Sequence, residues 1–101
     1  MALLDFMLIL KKRKIKSYLE RDAVLLDVRD DDELKSDKLD EAIHIPLNQL
    51  KEGSERLKEM DKPVIVFCAR GGRAAKAVEY LRLKNMDAIN GGSIKLIKKL
   101  L

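Results

Sequence analysis

Two uninterrupted apolar runs, Ala23-Val24-Leu25-Leu26 and Val64-Ile65-Val66-Phe67-Cys68, set the tightest limit on what this chain can fold into. A strand with one wetted face alternates apolar and polar residues. A run apolar at every position suits a strand covered on both faces, the usual condition in a parallel sheet. Charge ends the first run at Asp27-Val28-Arg29, and a glycine turn ends the second. Ala42-Ile43-His44-Ile45 reads as a further short strand stopped by Pro46, and Ala88-Ile89-Asn90 as a last one before Gly91-Gly92. Helical spacing fills the intervals. Asp30 is placed to cap a short helix from Asp31, and residues 47–60 read as helical. Ala74, Ala77, Val78 and Leu81 fall at i, i+3, i+4 and i+7 of a helix reaching about Lys84, and Ser93 caps a final helix. Strands alternating with helices predict an α/β fold with a central, mostly parallel β-sheet flanked by helices.

Residues 15–101 are expected to form this domain, and residues 1–14 an apolar and basic N-terminal segment. Its stretch Phe6–Leu10 is far short of the ~20 residues of a membrane span. The basic run Lys11–Lys16 follows that stretch where a secretory leader has its charges first, so a cytoplasmic chain is expected. The segment is expected to cap the core as a helix with Lys and Arg in water; a weak interfacial anchor is the alternative. Lys and Arg number 21 against 17 Asp and Glu, a net +4 that sits mostly in that run. With no Trp, two Tyr and two Phe, a stacking platform for single strands is excluded, and no nucleic-acid partner is expected. One cysteine excludes an internal disulfide, and with one histidine it cannot make a four-ligand zinc site. Asp30-Asp31-Asp32-Glu33 fits helix capping better than calcium. No metal or cofactor is expected, and a monomer is the default.

Chemistry concentrates at one place. Cys68 ends a buried strand and is followed by Ala69-Arg70-Gly71-Gly72-Arg73 and then a helix. Ligands of open parallel sheets bind beyond the carboxyl ends of the strands. Two glycines let the backbone curl so that successive N–H groups converge, the helix N-terminus adds partial positive charge, and Arg70 and Arg73 add two full ones. These features lower a thiol's pKa and favour the thiolate. The alternative is an inert core cysteine, which would have no use for the adjoining glycines and arginines. Catalysis at Cys68 further requires amides aimed at the sulfur and a thiol open to solvent. His44, the one imidazole, is not needed as a base by a thiolate already stabilised this way.

Four segments in order make residues 23–101 resemble a single-domain rhodanese. Leu26-Asp27-Val28-Arg29 with Glu33-Leu34 resembles the first strand and signature of that family, and Asp37 to Leu47 its second segment ending Ile45-Pro46-Leu47. Cys68 to Ala74 resembles its active-site loop, and Asn90-Gly91-Gly92 the double glycine before its last helix. The resemblance implies a sheet of about five strands and a sulfurtransferase. In that reaction Cys68 takes sulfane sulfur from thiosulfate or a persulfide as a Cys68 persulfide, and a thiol or protein acceptor removes it. Backbone N–H groups of Ala69, Arg70, Gly71, Gly72 and Arg73 would cradle the sulfur, and Arg73 would bond loop carbonyls or donor oxygens. A carrier or binding module without turnover is the alternative. Phosphatases and arsenate reductases that resemble this family have a longer loop, whereas here only Ala69 to Gly72 separate Cys68 from Arg73. Lys38 and Glu41 replace the family's histidine and glycine. Asp27 and Arg29 are expected to be structural, with Arg29 paired to Glu33.

Overall fold

The computed structural model describes residues 2–101. The two apolar runs become neighbouring inner strands, β1 (Val24–Asp27) and β3 (Val64–Cys68). β2 (Ile43–His44) pairs outside β1, β4 (Ala88–Ser93) pairs outside β3, and every pairing is parallel. The sheet therefore has four strands where about five were expected. The described chain before β1 is helical and adds none.

The two-residue period of the strands divides the core. Val24, Leu26, Val28, Val64, Val66 and Cys68 pack on one side against α2 (Leu50–Met60) and α3 (Gly72–Leu83). Leu25, Ile65, Phe67 and Ile89 pack on the other against α1 (Leu3–Glu20) and α4 (Ile94–Leu100). Ser93 caps α4 by accepting the Leu96 N–H at 3.1 Å. β4 is paired through Asn90 and resumes at Gly92 opposite Phe67, so Gly91 is an extra residue in the ladder. A Cβ on Gly91 would stand 2.7 Å from Ile65 Cγ2 and 2.8 Å from Ile97 Cδ1, so the bulge has room for glycine alone.

α1 departs from expectation. Only Ile15 and Tyr18 in it are buried, while Leu3 to Leu10 lie outside the core. Eighteen residues of helix extend about 27 Å, but the strands it packs on, five residues in β3 and six in β4, span only about 17–20 Å. The sheet is too short to cover the N-terminal turns of the helix. The helix also runs unbroken through positions 14 and 15.

The expected Arg29–Glu33 pairing survives only as a 3.4 Å bond from Arg29 Nη1 to the Glu33 backbone carbonyl, and the charge partner is another residue. Asp27 and Arg29 are two apart in extended chain and share a face. Arg29 donates from Nε at 3.0 Å and Nη2 at 2.8 Å to the Asp27 carboxylate, which also accepts the Arg29 backbone N–H at 2.9 Å. The remaining Nη2 donor meets the Asp37 carbonyl at 2.7 Å, tying down the loop after the first 3₁₀ turn (Asp31–Lys35). Asp27 and Arg29 are 2% and 3% exposed.

Candidate active site

β3 delivers Cys68 to the carboxyl rim of the sheet, on the face covered by α3. The chain then curls through Ala69 and Arg70 to Gly71, whose φ of +106° lies where glycine is favoured. That turn aims the Gly71 N–H at Cys68 Sγ, 2.9 Å away, and the first turn of α3 brings the Ala74 N–H to 3.4 Å. Burial pushes the thiol's pKa up, but the N–H groups of Ala74, Arg70, Gly71 and Arg73 together outweigh it and leave the pKa below its ordinary value. The donors are backbone dipoles fixed by the fold, so this stabilisation needs no side-chain rearrangement.

Ala69, Arg70 and Gly72 are exposed, and a Cβ on Gly72 would meet nothing within 4 Å. Arg73 is engaged away from the cradle. It forms a two-pronged ion pair with Glu33, through Nη1 to Oε1 and Nη2 to Oε2 at 2.9 Å, instead of bonding loop carbonyls. This pair, with the Asp30 N–H, holds the Glu33 carboxyl down at about 2. The Asp30 N–H donates to Glu33 Oε1 at 2.9 Å, so the residue that closes the 3₁₀ turn also anchors the start of α3.

Asn90 is a supporting residue that sequence reasoning missed. Its Nδ2 donates to the Gly71 carbonyl at 3.0 Å, and its Oδ1 accepts the Gly92 N–H at 2.8 Å. A polar residue inside an apolar strand, directly before two glycines, was the available signal. His44 stands apart from the sulfur, its Nε2 2.7 Å from the Arg29 carbonyl. Lys38 and Glu41 are exposed in the loop before β2.

One requirement is not met in this conformation. Cys68 is 1% exposed, where a sulfur open to solvent was expected. Cys68 and its loop are also absent from the walls of a hollow of about 410 Å³ bounded by His44, Gln49 and Arg56. The sulfur is therefore covered in this structure.

Fold and site together define an α/β domain whose lone cysteine is held at a strand end by amide donors. Residues 11–98 match the family described as rhodanese-like domain, and the chain belongs to that family. It is 34% identical over 62 residues to a thiosulfate sulfurtransferase GlpE of Coxiella burnetii, a match covering 61% of this chain and 57% of that protein. It is 30% identical over 98 residues to a tRNA uridine(34) hydroxylase of Buchnera aphidicola, covering 88% of this chain and 31% of that protein. A rhodanese-related protein of Thermoplasma volcanium superposes with a TM-score of 0.71 at 31% identity, covering 87% of this chain and 88% of that one.

Proposed function

We propose that this chain is a sulfurtransferase that works through a Cys68 persulfide. The Cys68 thiolate attacks the outer sulfur of thiosulfate or of a donor persulfide. The S–SO₃ bond of thiosulfate breaks and sulfite departs with the bonding pair, or the S–S bond of the persulfide breaks and a thiolate departs; sulfur stays on Cys68. A nucleophilic acceptor, a thiol or protein in the cell and cyanide in the assay, then attacks that outer sulfur and regenerates the thiolate, so that two displacements return the enzyme to its starting form. The observation that carries this reading is the pair of amide donors on Cys68 Sγ, from Gly71 at 2.9 Å and Ala74 at 3.4 Å. Such donors stabilise the attacking thiolate and the negative sulfur that forms on it. Membership of the rhodanese-like family and likeness to a thiosulfate sulfurtransferase support it.

Exposed Arg70 gives the loop a cation that attracts an anionic donor. The short loop, with four residues between Cys68 and Arg73, favours a single sulfur over a tetrahedral phosphate. The test is to incubate the protein with thiosulfate and determine its mass, then add cyanide and measure thiocyanate. One added sulfur on Cys68 and turnover are expected, and both should vanish in Cys68→Ser. A persulfide that forms but passes to no small acceptor would mark a carrier serving one protein partner. No added sulfur would refute the reading.

A further inference from the structure

We propose that the first half of α1 docks on an anionic lipid surface. Leu3, Leu4 and the run Phe6–Leu10 are all exposed, from 37% at Ile9 to 78% at Leu4. At 100° per residue these positions leave no polar face, because Asp5 is the one break between Leu3 and Leu10. A helix apolar all round is stable only when surrounded all round. A second helix would cover one stripe of it, whereas lipid covers every side.

The next turn supplies the charge argument. Lys11, Lys12, Arg13, Lys14 and Lys16 form a cationic collar where the apolar part ends. Two copies docked in parallel would bring two such collars together and repel. Acidic headgroups would be attracted, with each cation close to the surface worth roughly fivefold in partitioning. The apolar part is about 12 Å long, and no described helix is long and apolar enough to cross a membrane. Its length is below the ~15 Å of one leaflet's hydrocarbon, half of a ~30 Å core, so it suits insertion into a single leaflet.

The direction of docking follows from Lys11. Its Nζ lies 2.7 Å from where a Gly92 Cβ would stand, and a Gly71 Cβ would stand 3.4 Å from the Gly92 Cα. The helix therefore leaves the body at the rim that carries the Cys68 loop, and docking turns that rim toward the lipid. Docking needs no sulfur chemistry, so vesicle binding and sulfur transfer can fail independently.

The experiment is co-sedimentation of the full chain with vesicles of phosphatidylcholine alone or mixed with phosphatidylglycerol, at low and high salt. Binding is expected to the mixed vesicles and to weaken with salt. Replacing Lys12, Arg13 and Lys14 together by Gln should lower it by about 100-fold. Leu8→Asp/Ile9→Asp should abolish it while leaving the melting temperature unchanged, since both side chains are outside the core. Equal binding to neutral vesicles would overturn the role of the collar. No binding to mixed vesicles, or a dimer in solution lost with Leu8→Asp/Ile9→Asp in a chain that ignores vesicles, would overturn the proposal.

Discussion

Replacing Arg29 by Ala tests the buried pair that closes the end of β1. In the parent, the Asp27 carboxylate accepts from Arg29 Nε, Nη2 and backbone N–H, with the two side chains only 2% and 4% exposed. Arg29→Ala leaves that carboxylate with its backbone donor and no counter-charge, and strips the Asp37 carbonyl of its guanidinium donor. Removing one member of a buried pair costs about 3–5 kcal/mol, from a total of about 5–15 kcal/mol for a chain of this length. At about 4–8 °C per kcal/mol, the melting temperature should fall by at least about 12 °C. Urea titration at neutral pH gives the free energy directly. The double variant Asp27→Ala/Arg29→Ala should lose less than the sum of the single losses, because no orphaned charge remains. Glu33→Ala should cost less than Arg29→Ala, its carboxylate being partly solvated. An Arg29→Ala variant within 1 kcal/mol of the parent, or strictly additive single losses, would refute the assignment.

Three further outcomes follow from the site. The Glu33 carboxyl sits at about 2 in the folded chain and near ~4.3 in the unfolded one. Between those values the unfolded chain binds more protons, so the pair's stabilisation is full above about pH 4.5 and is lost as pH falls toward about 2. Glu33→Gln should flatten that part of the stability curve in urea titrations against pH, and an unchanged slope would contradict the ion pair. Gly71→Ala forces a side chain into a φ of +106° and swings the amide off the sulfur. Persulfide formation from thiosulfate should fall at least about tenfold, and parental rates would show that the Gly71 donor is dispensable. With Cys68 at 1% exposure, iodoacetamide should alkylate it more slowly than a free thiol of equal pKa. Free-thiol rates in a kinetic mass assay would refute the closed loop.

The parts of this molecule that local patterns determine were legible before the fold was known. Val64–Cys68 is apolar at every position because both its faces are covered, and Ser93 stands where a helix needs an acceptor. The Cys68 loop was legible because two glycines and two arginines follow the only thiol. What was missed depends on three-dimensional placement. Arg29 was expected to need a partner at the strand end, but Glu33 was the wrong one: Asp27, two residues back at the end of β1, supplies the carboxylate. Glu33 is thereby left to hold Arg73, forty residues away in sequence. The burial of Cys68 and the reach of Asn90 to the Gly71 carbonyl depend on how β3, β4 and the loop stack, which no single segment encodes. The apolar residues of α1 suggested core, but the length of the sheet decides which of them it can cover.

Backbone amides lower the Cys68 pKa and are proposed to hold it as the thiolate nucleophile, and its thiolate absorbance in the ultraviolet tests that claim most directly. With one cysteine in the chain, the signal belongs to Cys68 once Cys68→Ser is subtracted as the blank. The native protein should titrate below the value found in denaturant, where a free thiol lies near ~8.5. A native value equal to or above the denatured one would mean that burial outweighs the amide donors, contradicting the proposed nucleophile.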